Sequence, residues 1–466
     1  MNPAAALSLW MEQADPGPLL APLDGDTRAD VVIAGGGYTG LWTAYYLKTL
    51  APALEVCVLE AQRCGFGASG RNGGWMMAAL EGETRLLAAL DGERRGRVRA
   101  LIHSILPEVE SVLAQQGIDC DYHRGGGIYA AARYPEQLAL QRALLDDYRA
   151  AGFGDSDVHW LSAAELGARL RIADPLGGIY IPHIARIQPA RLVLGLVQCL
   201  RQLGVRIYEQ SPVIGLAPGR MVTARGAVKA PTRLLALEGY SASLPAVRGR
   251  VLAIQSRIVA TEPLDDALWD DLGLAGREVF CDASPLITYG QRSADNRMVF
   301  GARGSYRFGG APQSEFGGRE QEFGEVRRLL QACFPQLAAV PVSHCWGGTL
   351  GVPRSGIAHA VYDPVTGLGT AGGYFGEGVG AANLMARTLA DQVLGRDTEL
   401  AQAPWAFSGV IERKLRRWEP EPLRWLGYRA IDTIRRLEER LYQRQAPGWQ
   451  RRPVQGASRW LDRRMT

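Results

Sequence analysis

Short, wholly apolar segments alternate along the chain with longer segments in which apolar residues recur every three or four positions. The short segments predict buried strands and the longer ones predict amphipathic helices. Strands are predicted at 29–34, 56–60, 125–131, 204–209, 232–237 and 365–371, and helices at 86–116, 189–203, 320–334 and 378–395. Alternating positions at 251–260, 280–290 and 297–301 predict antiparallel strands, and residues 177–188 are expected to form a loop.

Parallel strand and helix units therefore fall in three blocks, which are separated by blocks rich in antiparallel strands. This order implies two interleaved domains rather than two consecutive ones. We assign 1–90, 162–245 and 340–405 to a discontinuous α/β domain with a Rossmann-like fold, 91–161 and 246–339 to an α+β domain with an antiparallel sheet, and 406–466 to a basic, helical C-terminal extension. The leader up to about residue 28, which contains Pro16, Pro18 and Pro22, is expected to lie extended over the surface.

The turn after the first predicted strand carries a glycine pattern, Gly35-Gly-Gly37-Tyr38-Thr39-Gly40. Gly35 permits the tight turn, Gly37 lets the backbone approach a pyrophosphate, and Gly40 lets the helix pack closely on the strand. The N-terminus of that helix offers unpaired N–H groups and a positive dipole end to phosphates. Glu60 ends the next strand, 20 residues after Gly40, where a carboxylate can accept hydrogen bonds from ribose hydroxyls. The pattern and its context predict binding of an adenine dinucleotide.

The composition is that of a globular protein with a large core, since 47% of the 466 residues are hydrophobic and 21% are charged. No apolar run reaches the roughly 18 residues that span a bilayer, and the start does not resemble a signal peptide, so we expect a cytoplasmic protein. The seven cysteines and six histidines are scattered, which predicts neither a disulfide framework nor a metal site.

Positive charge is concentrated at the C-terminal end. Residues 411–466 hold 15 Lys and Arg against 7 acids, a surplus of +8, which leaves about −4 for the rest of a chain of net charge +4. A negative main body argues against nucleic acid as a partner.

Five segments carry a resemblance: 35–60, Gly67-Ala-Ser-Gly-Arg-Asn-Gly-Gly74, Gln188-Pro189 with its helix and 204–213, 235–240, and 372–379. Together they resemble the D-amino-acid oxidase superfamily of FAD-dependent amine and amino acid oxidoreductases, which includes sarcosine, glycine and gamma-glutamylputrescine oxidases. The resemblance extends from about Arg28 to Gly395. It is strongest to a bacterial subgroup that includes aminophosphonate oxidoreductases and shares Ser8-Leu-Trp10, Gly40-Leu-Trp-Thr-Ala-Tyr-Tyr46 and Trp418-Glu-Pro-Glu-Pro422.

The resemblance implies the residues that bind FAD. They are Gly35, Gly37, Tyr38, Thr39, Gly40, Glu60 and Ala61 at the pyrophosphate and adenosine ribose, Ser69, Gly70, Arg71, Asn72, Gly73 and Gly74 at the flavin side, Val213 at the adenine, and Gly239, Gly348, Gly373, Phe375, Gly376, Gly378 and Val379. The helix after the last group is expected to point its N-terminus at the flavin pyrimidine, where N–H groups stabilise the anion formed by two-electron reduction.

Glu377 is a departure from the resemblance, because many relatives have a histidine in this Gly-x-x-Gly-x-Gly loop. One interpretation is that Glu377 binds a cationic part of the substrate or takes the proton of its ammonium group. The other is that the carboxylate caps the following helix. A mechanism that depends on a histidine in relatives is not expected to transfer to this chain.

The resemblance implies oxidation of a C–N bond in a small amine or amino acid. A hydride passes to flavin N5, the imine is hydrolysed to a carbonyl, and O2 reoxidises the flavin to give H2O2; the protein supplies positioning and electrostatics. The residues expected at the substrate are Glu377, Arg354, Tyr289, Trp346 and Tyr374. Arg354 is either a clamp for a carboxylate or phosphonate or an ordinary surface arginine, and for the aromatic residues core packing is the competing explanation. Covalent attachment of the flavin to Cys345 is a minor alternative.

Three other functions stay open. The first is a dehydrogenase that passes electrons to a quinone or a carrier protein, and the second is a flavin-binding partner or sensor without turnover. The third, an aromatic hydroxylase, is disfavoured because the segment 372–378 lacks the Gly-Asp-Ala pattern of such enzymes. The protein is expected to be a monomer or a homodimer.

The C-terminal extension contains one long amphipathic pattern, formed by Leu423, Leu426, Ile431, Ile434, Leu437 and Leu441. A basic amphipathic helix can lie on an anionic membrane, or it can pack its apolar stripe on its own domain or on a second subunit. Soluble members of the resembled subgroup share the start of this extension, so packing is favoured.

Overall fold

The computed structural model describes residues 7–313, 316 and 320–465. The helices are α1 (Leu9–Ala14), α2 (Tyr38–Leu50), α3 (Glu83–Ala88), α4 (Gly92–His103), α5 (Ile105–Gln116), α6 (Pro135–Ala150), α7 (Ala163–Arg169), α8 (Pro189–Gln202), α9 (Asp266–Leu272), α10 (Glu320–Cys333), α11 (Gly378–Val393), α12 (Ile411–Lys414), α13 (Leu423–Gln443) and α14 (Gly448–Met465). The strands are β1 (Thr27–Arg28), β2 (Val31–Ala34), β3 (Val56–Leu59), β4 (Trp75–Met77), β5 (Gly127–Ala132), β6 (His159–Ser162), β7 (Pro175–Ile181), β8 (Ile184–Arg186), β9 (Arg206–Tyr208), β10 (Gly215–Ala217), β11 (Arg220–Thr223), β12 (Gly226–Lys229), β13 (Thr232–Leu235), β14 (Val251–Thr261), β15 (Val279–Asp282), β16 (Thr288–Arg292), β17 (Met298–Tyr306), β18 (Val342–Pro353), β19 (His359–Asp363), β20 (Leu368–Gly372) and β21 (Ala406–Ser408).

A seven-stranded sheet has the order β21-β19-β20-β13-β2-β3-β9, and its neighbours are parallel except for β19 and β20. Its central strands β2 and β3 are wholly apolar because both of their faces are covered. Val31 and Ile33 pack with helices α2, α8 and α11, whereas Val32 and Ala34 face the four-stranded sheet β1-β12-β11-β10. The parallel strands β2, β13 and β20 therefore end side by side, at the edge where doubly wound sheets bind ligands.

An eight-stranded sheet, mostly antiparallel, has the order β18-β14-β17-β16-β15-β5-β7-β6. Alternate residues of its strands, such as Phe280 and Phe300, pack against helices α7, α9 and α10. The residues that alternate with these core positions point to the opposite face of the sheet, because successive side chains of a strand point to opposite faces. The predicted combination of a Rossmann-like parallel sheet with a second, antiparallel sheet is confirmed.

The strand pairing differs from the sequence prediction in three places. Strand β7 replaces part of the loop expected at 177–188, and both β7 and β18 pair in the eight-stranded sheet, although the sequence placed them in the Rossmann-like domain. Strand β21, assigned to the extension, pairs in parallel with β19. The stretch 280–290 is divided between β15 and β16, and 86–116 contains three helices. Pairing partners lie far apart in the sequence, so local periodicity does not identify them.

The leader is not simply extended, because helix α1 buries Leu9, Trp10 and Met11. The side chain of Ser8 caps this helix by accepting a hydrogen bond from the Met11 N–H. The Trp10 indole donates to the Asn72 carbonyl at 2.8 Å. Helix α1 therefore anchors the leader against the loop that follows β3.

The C-terminal helices pack on the rest of the chain. Glu439 of α13, 2% exposed, accepts hydrogen bonds from Ser284 Oγ at 2.8 Å and from the Tyr134 hydroxyl at 3.1 Å. Arg133, nearly buried, pairs with both Glu439 and Asp282. Within the described part of the chain, none of the helices is both long and apolar enough to cross a membrane.

Candidate active site

A cavity of about 1170 Å³ lies between the ends of β2, β13 and β20 and the inner face of the eight-stranded sheet. The predicted site residues in its lining are Gly35, Gly37, Tyr38, Thr39, Glu60, Ala61, Ser69, Arg71, Asn72, Gly73, Val213, Tyr289, Gly348, Tyr374, Phe375, Gly376, Glu377, Gly378 and Val379. Those outside the lining are Gly40, Gly70, Gly74, Gly239, Trp346, Arg354 and Gly373. One space thus brings together the early and the late glycine loops.

The glycine turn is built from close backbone approaches. Gly35 has φ +112°, and a Cβ there would lie 2.3 Å from the Ala236 carbonyl oxygen. A Cβ at Gly40, in the first turn of α2, would lie 2.0 Å from the Gly35 oxygen. Neither position has room for a larger residue, so the turn and the helix pack closely. This packing places the start of α2 at the cavity. Beside it, Glu60 accepts from the Gly36 N–H at 2.7 Å, which fixes its carboxylate at the cavity wall.

The loop 67–74 is folded against the start of α2. Ser69 Oγ accepts from the Tyr38 N–H at 2.9 Å, and a Cβ at Gly37 would lie 2.8 Å from the same oxygen. Asn72 stiffens the loop by donating to the Ser69 carbonyl and accepting from the Gly74 N–H. Arg71 is 2% exposed and donates through Nε to the Phe66 carbonyl at 2.7 Å.

Glu238, which the sequence motifs did not single out, joins three distant segments. Its carboxylate accepts from the N–H groups of Gly351, Gly373 and Tyr374 at 3.1, 2.7 and 3.2 Å. The Tyr374 hydroxyl in turn lies 2.8 Å from Thr39 Oγ1 of the early turn. Gly373 therefore supports the cavity wall from behind.

Glu238 is expected to make the stability of the protein depend on pH. Burial raises the pKa of its carboxyl from 4.5 to about 7. The folded state therefore keeps a proton that the unfolded chain releases above pH 4.5, so the free energy of unfolding should fall as the pH rises from about 4.5 to about 7. Denaturant unfolding at several pH values in this range measures the slope of the free energy of unfolding against pH. Glu238→Gln should make that slope smaller. An identical slope in the variant would contradict the role of this carboxyl.

Glu377 precedes α11 but makes no capping hydrogen bond with its side chain. Glu81, another residue of the cavity wall, lies close enough to act on the Glu377 carboxyl. Burial raises the pKa of Glu377 well above its ordinary value, the charges of Glu81 and Glu83 raise it further, and Arg303 opposes them. Repulsion from neighbouring carboxylates and burial both favour the protonated form of Glu377. The geometry thus favours a chemical role for Glu377 over the capping interpretation.

Tyrosines form much of the remaining wall. The Tyr289 hydroxyl lies 2.6 Å from Ser256 Oγ, and burial raises the pKa of this phenol to about 12. Trp75 packs edge-on against the rings of both Tyr129 and Tyr289. Tyr129 was not predicted, although it alternates with the core residues of β5.

Helix α13 supplies a wall that the sequence motifs did not reveal. Tyr428, Ile431, Asp432 and Arg435 line the cavity, and their spacing places them on one helical face. The Tyr428 hydroxyl donates to the Gly304 carbonyl at 3.1 Å. The amphipathic pattern was visible in the sequence, but only the docking of the helix shows which face meets the cavity.

Arg354 and Trp346 do not line the cavity. Arg354 follows the end of β18 and pairs with Glu419 at 3.2 Å. Trp346 donates its indole N–H to the Arg71 carbonyl at 3.0 Å, so it supports the loop 67–74 from behind. Cys345 faces the opposite side of β18, where it packs against the core beneath α10.

Two histidines that are distant in the sequence meet outside this cavity. The rings of His103 and His183 stack with centroids 4.2 Å apart, and His183 Nε2 lies 3.3 Å from the Asp157 carboxylate. The side-chain atoms of His103, Asp157 and His183 that could bind a metal ion all lie within 4.8 Å of one another. The scattered positions of the histidines in the sequence did not indicate this cluster.

Comparisons with known proteins agree on one family. Residues 30–392 match the family model for DAO, FAD dependent oxidoreductase. The probable oxidoreductase OrdL of Rhizobium meliloti is 30% identical over 410 residues, covering 84% of this chain and 89% of that protein. The gamma-glutamylputrescine oxidoreductase of Escherichia coli is 29% identical over 388 residues, covering 80% and 85%. The glycine oxidase structure from Geobacillus kaustophilus matches with a TM-score of 0.67 at 20% identity, covering 84% of this chain and 100% of that one.

Proposed function

The chain belongs to the DAO family of FAD-dependent oxidoreductases, and from this premise we propose that it oxidises the C–N bond of a small amine with O2 as the acceptor. The single observation that carries the proposal is the shared cavity, which joins the dinucleotide-type glycine turn to the Glu81 and Glu377 carboxyl pair. Relatives named for amine substrates, such as the gamma-glutamylputrescine oxidoreductase, support this reaction class.

The residues at one end of the cavity fit FAD. The start of α2 faces the cavity beside Gly35 and Gly37, where a Cβ would overlap neighbouring atoms. Glu60 and Val213 line the same end and suit an adenosine. When bound, FAD supplies a two-electron acceptor for the hydride that leaves the carbon beside the substrate nitrogen.

The carboxyl pair suits a cationic amine. The raised pKa of Glu377 makes its carboxylate the stronger base, so an ammonium group that docks beside Glu81 and Glu377 can transfer a proton to Glu377. Loss of that proton frees the nitrogen lone pair, which amine oxidation requires. Arg303 and Arg435 also line the cavity, and their positive charges favour a substrate that carries an acidic group as well.

The proposal is tested by anaerobic mixing of the purified flavoprotein with polyamines, N-methyl amino acids, aminophosphonates and D-amino acids. We expect at least one amine to bleach the flavin absorbance, and stoichiometric H2O2 when air is admitted. Protein that is colourless and does not take up added FAD would refute the proposal. If no amine bleaches a bound flavin, the function is binding without turnover, and slow reoxidation in air would instead indicate a dehydrogenase.

A further inference from the structure

A second cavity, of about 370 Å³, lies between α1, β8 and the turn at 293–295. Its lining shares no residue with the large cavity. Its volume is within the range of small-molecule sites, roughly 300–1,000 Å³. Trp10 and Ile187 provide apolar wall, and Gln13 and Ser293 provide polar groups.

Arg186 is the unusual residue of this cavity. It is 7% exposed, and its Nε is buried without a hydrogen-bond partner. Its backbone is held by two hydrogen bonds with His123 and by pairing of β8 with β4. Among the described residues, its guanidinium forms neither a hydrogen bond nor an ion pair. A buried cation without a partner costs free energy, which a bound anion would recover.

Both aspartates in the lining of this cavity already have ion-pair or hydrogen-bond partners other than Arg186. Asp121 pairs with Arg191 at 3.0 Å. Asp295 accepts from Gln13 and from Arg297, both at 2.7 Å. Burial is the main cause that lowers the pKa of Arg186 to about 10, the positive charges of Arg277 and Arg292 lower it further, and the negative charge of Asp121 opposes them. The carboxylates of this cavity are therefore held by groups other than Arg186.

We propose that this cavity binds a small organic anion whose carboxylate or phosphate group is held by Arg186. A guanidinium presents paired N–H donors that match either group, and Trp10 and Ile187 accommodate an apolar part of the ligand. The site is separate from the amine cavity. The two are linked by the β4–β8 ladder, in which Arg186 pairs with Trp75, a residue of the large cavity.

The test is thermal unfolding of the full-length, FAD-loaded protein with inorganic phosphate or malonate, against chloride at the same ionic strength. Either anion should raise the unfolding midpoint of the wild type by at least about 2 °C at saturation. Titration calorimetry should show binding that Arg186→Met weakens at least about tenfold. A response to phosphate alone assigns a phosphate group, and a response to malonate alone assigns a carboxylate.

The matched control is Arg171→Met, which removes an exposed arginine paired with Asp271 and should keep the full response. Without ligand, Arg186→Met should be at least as stable as the wild type, because it removes an unpaired buried charge. If Arg186→Met does not fold, Arg186→Lys keeps the charge without the paired donors and should still weaken binding. No response in the wild type, or an equal response in the Arg186 variants, would overturn the proposal.

Discussion

Replacing Glu377 with glutamine is expected to slow flavin reduction by a cationic amine about a hundredfold, while the content of bound FAD stays unchanged. The variant keeps the shape of the side chain but removes the carboxyl whose raised pKa makes it the better proton acceptor, while the Glu81 carboxyl stays in place. The ammonium group then still meets the Glu81 carboxyl but loses Glu377 as its proton acceptor. Anaerobic stopped-flow reduction over a range of amine concentrations and pH values measures the effect.

Glu83→Gln is the matched control for this experiment. Glu83 is also buried and lies close enough to raise the pKa of Glu377, but it does not line the large cavity. We expect this variant to shift the pH profile of reduction and to retain most of its maximal rate. Equal losses of FAD and of reduction rate in Glu377→Gln would show that Glu377 has a structural role instead.

Gly40→Ala is expected to remove most of the bound FAD. The new methyl group would lie 2.0 Å from the Gly35 carbonyl oxygen, so the start of α2 or the glycine turn must move. Helix α2 is buried over most of its length, so a shift disturbs the core and costs about 1–3 kcal/mol. The displaced N-terminus no longer faces the phosphates in the geometry that binds them. The ratio of flavin to protein absorbance after purification measures the loss.

Gly96→Ala provides the comparison, because a Cβ at this glycine in α4 meets no atom within 4 Å. This variant should keep its FAD and gain about 0.5–1 kcal/mol of stability, as glycine is unfavourable within a helix. If Gly40→Ala retained as much FAD as Gly96→Ala, close packing at the turn would not be what positions the cofactor site.

The sequence determined those features that depend on neighbouring residues. The apolar strand, the glycine turn and the helix at 31–50 follow from burial periodicity and from backbone conformations that only glycine allows. The loop at 67–74 and the segment at 373–379 were likewise recognisable, and most of their predicted residues lie at the cavity.

Only the tertiary structure decided which distant segments complete the cavity. Glu238 acts on N–H groups more than a hundred positions away, Glu81 meets Glu377, and α13 brings Arg435 to the wall, while Arg354 pairs elsewhere with Glu419. Backbone conformation is set by short-range sterics and by the alternation of apolar residues. Contacts between distant side chains depend instead on how whole sheets and helices pack. A change in the register of one strand, or in the docking of one helix, moves every side chain on that element.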